Sequence, residues 1–233
     1  MTPPISQVTW KPCWRLVPSR FPPTGLFDRV ASPEDLEIVL HLEGRTNGRL
    51  REQAGDISLV APEDRLLGPG TTPIMAAFTH LNPEGSRFTS GEYGVYYAAK
   101  GIDTAIAETR FHRAHFLAAT NEPPIEIDMR SYASDLEAAA HDLRGLQEAL
   151  PAVYDPGPAN YGAAQTLAGK LRDKGSNGIV YDSVRDPGGE CAAIFRPPVL
   201  SPVRQGPHLC YVWDGDAITS VYVKNRYEPG RLQ

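Results

Sequence analysis

The last third of the chain restricts the fold most. GIVYDSV (178–184) and CAAIFRP (191–197) are short apolar runs joined by the turn-forming RDPGGE, and both read as strands. HLCYVWDGDAITSVYV (208–223) sets Asp214–Gly215 between two runs rich in β-branched and aromatic residues, the pattern of a β-hairpin. Four strands in succession near one end are incompatible with a regular βαβα alternation. The class expected is α+β, with a split mixed or antiparallel sheet and flanking helices rather than a doubly wound fold.

Upstream, VTWKPCWRLVP (8–18) reads as an opening strand interrupted by Pro12. SPEDLEIVLHLEG (32–44) has helix-start signals, with Ser32 as N-cap, Pro33 behind it and acids in the first turn. PIMAAFTHL (73–81) is apolar enough for a buried strand and short enough for a brief helix. IEIDM (125–129) alternates as a strand does. SDLEAAAHDLRGLQEAL (134–150) opens with Ser134 and Glu137 in capping-box spacing and predicts a helix. A further helix is expected from about Asn160 to Lys174, ended by Gly175. Residues 45–70 have no clear pattern.

A length of 233 residues suits one domain with a substantial core. The net charge of −5 gives no reason to expect binding to a nucleic-acid backbone, which calls for a concentrated basic face. No apolar run approaches the roughly 20 residues that span a bilayer, and the N-terminus lacks a signal-peptide layout. No membrane association and a cytoplasmic location are expected. Cys13, Cys191 and Cys210 are odd in number and widely spaced, so neither a disulfide framework nor a zinc site is supported, and each reads as a small buried residue.

The phosphate-binding and metalloprotease signatures GxGxxG, GxxxxGK[ST] and HExxH are absent, as is the nucleophile elbow GxSxG. His112 and His115 lie three apart on an expected helix, but no third metal ligand is near, and a solvated helix face accounts for them. No metal site is expected. His80 is either a turn histidine or a residue lining a site.

What remains is a constellation inside GSRFTSGEYGVYYAAKGIDTAIAETR (85–110). Arg87 sits in a glycine-rich loop and offers a fixed fork of donors suited to phosphate oxygens. Tyr96 and Tyr97 end an apolar run and face opposite sides of a strand, so one of them can stack on a flat ring. Glu108 lies at the border of the apolar stripe of a helix that Asp103 can cap, where a carboxylate is partly desolvated and still reaches outward. Ser183 follows the strand GIVYD, where a hydroxyl can point into a site. Singly, each has a commonplace reading as a loop, core, surface or turn residue.

Together, Arg87, Tyr97 and Glu108, followed by Ser183 in GIVYDS, resemble the RES domain family, named for its Arg, Glu and Ser. WRLV (14–17) is similar to that family's first strand, and Arg15 matches a frequent arginine there. The family's commoner loop reads like GGRWN; here GSRFTSGEYG has the aromatic Phe88 where that pattern has tryptophan. The resemblance covers about 14–198, with 32–70 an expected insertion and 199–233 a hairpin extension of a single domain.

The resemblance implies the catalytic fold of ADP-ribosyltransferases around a NAD⁺ cleft. It implies cleavage of the nicotinamide–ribose bond by hydrolysis or phosphorolysis, with inorganic phosphate as a potential co-substrate. The catalytic residues would be Arg87, Glu108 and Ser183, and Arg15, Tyr96 and Tyr97 would contact the cofactor. It further implies a toxin restrained by an Xre-like antitoxin protein, with a homodimer as one assembly. The alternatives are transfer of ADP-ribose to a protein and a non-catalytic nucleotide- or protein-binding module.

Overall fold

Long, alternating runs of small and apolar residues make the two longest strands. In the computed structural model, which describes residues 2–19, 28 and 55–226, these are β1 (Ile5–Pro18) and β3 (Ile125–Asp142). Between and after them come α1 (Thr72–Thr79), β2 (Tyr96–Ala99), α2 (Ile102–Ala119), α3 (Gly162–Asp173), β4 (Gly178–Asp182), β5 (Glu190–Ile194), β6 (Arg204–Trp213) and β7 (Ile218–Lys224). The sheet runs in the order β1-β2-β5-β4-β3-β6-β7, and β1 also pairs with β3. That extra pairing closes five of the strands into a ring, from which the β6–β7 hairpin extends.

β1 and β3 run antiparallel from Ile5 opposite His141 to Pro18 opposite Met129. The other edge of β3 is divided. Its first half pairs antiparallel with β6, and His141 and Asp142 pair parallel with β4. The sheet is therefore mixed and split, and the class is α+β as expected. The C-terminal hairpin is hydrogen-bonded to β3 and continues the same sheet.

The expected helix at 134–150 is not formed. Ser134, Leu136, Ala138 and Ala140 alternate into one buried face of β3 while Glu137 is exposed, a period of two rather than 3.6. The Ser134 hydroxyl, read as a cap, instead donates to the Ser201 carbonyl at 2.5 Å. Helix propensity loses here because β1 pairs along the segment, with a Leu136–Leu200 bridge and then β4 on the other edge, and tertiary pairing outweighs a weak local preference. Pro12 does not end β1: the register shifts between Trp10 and Cys13, and the ladder resumes beyond it. The 73–81 stretch is a helix, α1. Its first N–H groups, those of Thr71 and Thr72, donate to the Asp28 carboxylate at 3.1 Å each, a cap supplied from far upstream. α2 takes Gly101 as N-cap, and Asp103 lies in its first turn without capping it. The helix expected at 32–44 lies outside the described residues.

Two apolar layers cover the sheet. One, with α1, contains Val8, Trp10, Cys13, Tyr96 and Leu136. The other, with α2 and α3, contains Leu16, Phe88, Met129, Tyr181 and Trp213. All three cysteines are buried and free.

Leu136→Ala should destabilise the protein by about 2–5 kcal/mol, since a fully buried side chain leaves a cavity. Glu137→Ala, costly if it served a capping box, should change stability by less than about 0.5 kcal/mol. Urea unfolding of both variants checks the strand assignment.

Candidate active site

The loop before β2 is shaped by glycine. Gly85 has φ +70°, and a Cβ there would lie 2.6 Å from the Thr89 carbonyl oxygen; at Gly94 a Cβ would lie 2.3 Å from the Phe78 Cα. The loop thus turns tightly on itself and packs directly on the α1 backbone. Phe88 is 1% exposed and meets Tyr181 edge-on at 4.9 Å, which anchors the loop in the core. The Tyr97 hydroxyl accepts from the Phe88 N–H at 2.9 Å and lies 2.8 Å from the Ser86 hydroxyl. Burial raises the Tyr97 pKa above its usual value, so the phenol stays protonated as a tie between β2 and this loop.

Held this way, Arg87 points inward and is 8% exposed. Its Nη1 donates to the carbonyls of Val153 and Asp155, both at 2.9 Å. Its guanidinium lies 4.4 Å above the Tyr161 ring. Both bonds are to neutral groups.

Glu108 comes from the middle of α2, and its side chain is 21% exposed. Ser183, just beyond β4, donates its hydroxyl proton to Glu108 Oε1 at 2.6 Å. The same hydroxyl oxygen accepts from the backbone N–H groups of Arg185 and Asp186 at 3.1 and 3.0 Å. The only proton of that hydroxyl is therefore engaged, and Ser183 fixes the carboxylate and its own loop together. Glu108 Oε2 lies 4.0 Å from His112 Nε2. Desolvation, and then the charges of Arg185 and Arg87, push the His112 pKa down to about 4, so this imidazole is neutral at pH 7.

Arg87, Tyr97, Glu108 and Ser183 thus share one side of the sheet. Arg15 and Tyr96 do not join them. Arg15 lies on the other face with its guanidinium 4.7 Å above the Tyr96 ring, and donates to the Tyr97 carbonyl at 3.1 Å. Tyr96 is fully buried in the α1 layer. The reason is the alternation of β1 and β2: Cys13, Arg15, Tyr96 and Ala98 face one way, Trp14, Leu16, Tyr97 and Ala99 the other. Burial disfavours the Arg15 charge and lowers its pKa.

Three neighbours were missed in the sequence. His112 follows Glu108 by one helical turn, a relation that the i,i+4 spacing could have revealed. Tyr161 and Arg185 come from loops with no signal of their own. His80 ends α1, exposed, with its Nδ1 3.1 Å from the Thr79 hydroxyl. Among the described residues no cluster of three or more His, Cys, Asp or Glu could hold a metal. A cavity of about 240 Å³ lies elsewhere, lined by Asp64, Phe78, Tyr93, Arg172 and Arg196 among others, and none of Arg87, Glu108 or Ser183 borders it.

Comparison with known proteins gives three likenesses. The RES domain model matches residues 63–214, which include Arg87, Glu108 and Ser183 and exclude Arg15. The uncharacterized protein y4oC of Sinorhizobium fredii is 31% identical over 217 residues, covering 90% of this chain and 86% of that one. A chain of the M. tuberculosis MbcT–MbcA toxin–antitoxin complex superposes with a TM-score of 0.45 at 13% identity, over 91% of this chain and 87% of that one. A family model spanning well over half of the sequence, together with a relative matched along nearly all of it, makes this chain a member of the RES domain family.

Proposed function

We propose that the protein cleaves the nicotinamide–ribose bond of NAD⁺ and acts as the toxin of a toxin–antitoxin pair in the cytoplasm, restrained by a separate Xre-like antitoxin. The observation that carries the catalytic reading is the Ser183–Glu108 hydrogen bond. It fixes one carboxylate oxygen and leaves the other open, beside a neutral histidine. Membership of the RES family supplies the substrate class.

In this reading the C–N bond breaks with its electron pair, and nicotinamide leaves as a neutral ring. Positive charge then develops on the ribose as an oxocarbenium ion, the type of transition state that glycosidases stabilise with carboxylates. Glu108 stabilises that charge through Oε2 and accepts from a ribose hydroxyl. Ser183 is a positioning residue acting through Glu108. Arg87 supplies fixed positive charge toward the pyrophosphate, and Tyr97 acts by setting the Arg87 loop. The ribose carbon is captured by water, which releases a proton, or by inorganic phosphate, which gives a sugar phosphate. No metal has a part in these steps.

Separation of NAD⁺ products by HPLC, with and without phosphate, should reveal free nicotinamide in both cases or only with phosphate, and so identify the acceptor. An ADP-ribose adduct on a protein, detected by mass spectrometry, would favour the transferase alternative. Glu108→Gln keeps the size and the hydrogen bond to Ser183 but removes the charge, and should cut nicotinamide release roughly a hundredfold to a thousandfold. Full activity in this variant would sink the site assignment.

Ser183→Ala should lower kcat about tenfold with KM little changed, by the loss of one charge-assisted hydrogen bond, and Ser183→Thr should restore most of it. Expression without a partner should deplete cellular NAD⁺ and arrest growth, and Glu108→Gln should abolish both. Normal growth with unchanged NAD⁺ would refute the toxin reading.

A further inference from the structure

Arg185, like Arg15 on the other face, has a buried Nε without an acceptor among the described residues, but it alone lies beside Ser183 and Glu108. It follows Ser183 by two residues, in the loop between β4 and β5. Its guanidinium carbon lies 3.3 Å from the centre of the Phe111 ring, one turn along α2 from Glu108. Its Nη2 donates to the Pro156 carbonyl. Its Nε is shut off from solvent and has no acceptor among the described residues.

These details have a geometric meaning. Nε and Nη2 form one edge of the guanidinium, the fork that matches two oxygens of a phosphate. Here one prong holds a neutral carbonyl and the other holds nothing. An unmet buried donor is costly, so this edge is poised for a better acceptor.

Arg87 is less suited to that task. Its Nη1 protons are both given to the Val153 and Asp155 carbonyls, and its Nη2 reaches toward the Tyr161 hydroxyl at 3.5 Å. The two arginines grip successive carbonyls of one turn, Asp155 and Pro156. The nearby carboxylates are engaged elsewhere: Asp155 with the Gly157 N–H and Asn160, Asp186 with the Thr104 hydroxyl. Among the described residues neither guanidinium has a carboxylate hydrogen-bonded to it. Hydrogen bonds to neutral donors leave Asp155 charged and near Arg87, and the lowered basicity of His112 is owed first to desolvation and then to the charges of Arg185 and Arg87.

We propose that Arg185 is the residue that takes the phosphate oxygens of a nucleotide pyrophosphate, exchanging the Pro156 carbonyl for them through its Nε/Nη2 edge. This deepens the NAD⁺ reading and rests on it for the identity of the nucleotide. The exchange is favourable because a bond from a guanidinium to an anionic oxygen is roughly twice as strong as one to a neutral acceptor. Phe111 stacks under the guanidinium plane before and after, so little orientation has to be found on binding. The Asp155–Gly157 turn draws back from Arg185 while Arg87 keeps its hold on Asp155.

The test is ligand binding, which is independent of turnover. Isothermal titration of the full chain with ADP-ribose, which carries the pyrophosphate and lacks nicotinamide, is compared across variants. Arg185→Gln should weaken binding about tenfold to a hundredfold. Arg185→Lys keeps the charge but loses the fork, and should fall between. Arg204→Gln, at an exposed ion pair on β6, should bind as the unaltered protein does. Thermal melts establish that each variant is folded. Equal ADP-ribose affinity with and without Arg185, or no binding by the unaltered protein, overturns the assignment. Nicotinamide release with Arg185-independent binding would keep the cleavage reading and discard this one. Arg185-dependent binding without any release would do the reverse.

Discussion

A strand has two edges, and the long strand β3 gives most of one to β1, from Met129 to His141, and divides the other between β6 and β4. That division is what the remaining elements depend on. Because β6 and β4 cannot occupy the same stretch of edge, the sheet parts between them, while the alternation of side chains gives each face its own apolar layer. β4 enters parallel to β3 and returns through a turn to β5, so the turn after Asp182 emerges beside α2. Ser183 and Glu108, 75 residues apart in sequence, meet because that split exists. The small side chains of β3, Ala138 and Ala140 among them, let the flanking layers close over the strand.

Burying a guanidinium as deeply as that of Arg87 is costly unless its donors are met. The protein meets them with main-chain carbonyls and an aromatic face rather than with a carboxylate. This choice fixes the loop at 153–155 against the loop at 85–89, and the second is in turn held by the Tyr97 hydroxyl and by Gln165, whose amide donates to the Ser86 and Thr89 carbonyls. Arg87 is thus a structural clamp and a source of fixed positive charge at once. Its removal would disturb both, which makes the Glu108 and Arg185 substitutions cleaner probes of chemistry.

The legibility of this site in the sequence was uneven for physical reasons. Arg87, Tyr97, Glu108 and Ser183 drew attention only in combination, each lying in or beside a local element that could be read: a glycine loop, an apolar strand, a helix and a strand before a turn. The choice between Tyr96 and Tyr97 needed only the strand's handed alternation once a neighbour was fixed, and Leu16 and Phe88 fix it. The helix expected from Ser134 failed because a capping box and an alanine run describe local preference, whereas two flanking strands impose a period of two. The cap of α1 could not be read at all, since Asp28 is 43 residues from Thr71. Tyr161 and Arg185 were invisible for the same reason: their partners, Arg87 and Phe111, are brought to them only by the fold.

The charged groups at the site share one trait, which is that each is oriented by a neutral neighbour. Ser183 holds Glu108, main-chain carbonyls and Tyr161 hold Arg87, and Phe111 with the Pro156 carbonyl holds Arg185. A lysine in place of Ser183 would also fix Glu108, but it would cancel the charge that a developing cation needs. A carboxylate in place of the Pro156 carbonyl would satisfy Arg185 and close it to phosphate. His112, neutral at pH 7, lies near Glu108 without compensating it. Neutral scaffolding leaves both signs of charge fixed in direction and unquenched, which is electrostatic preorganisation in its simplest form. Such a site suits a ligand that is itself of both signs, cationic at one end and anionic at the other. In the proposed NAD⁺ reading, the carboxylate faces the end where positive charge grows, and the arginines face the end where negative charge already resides.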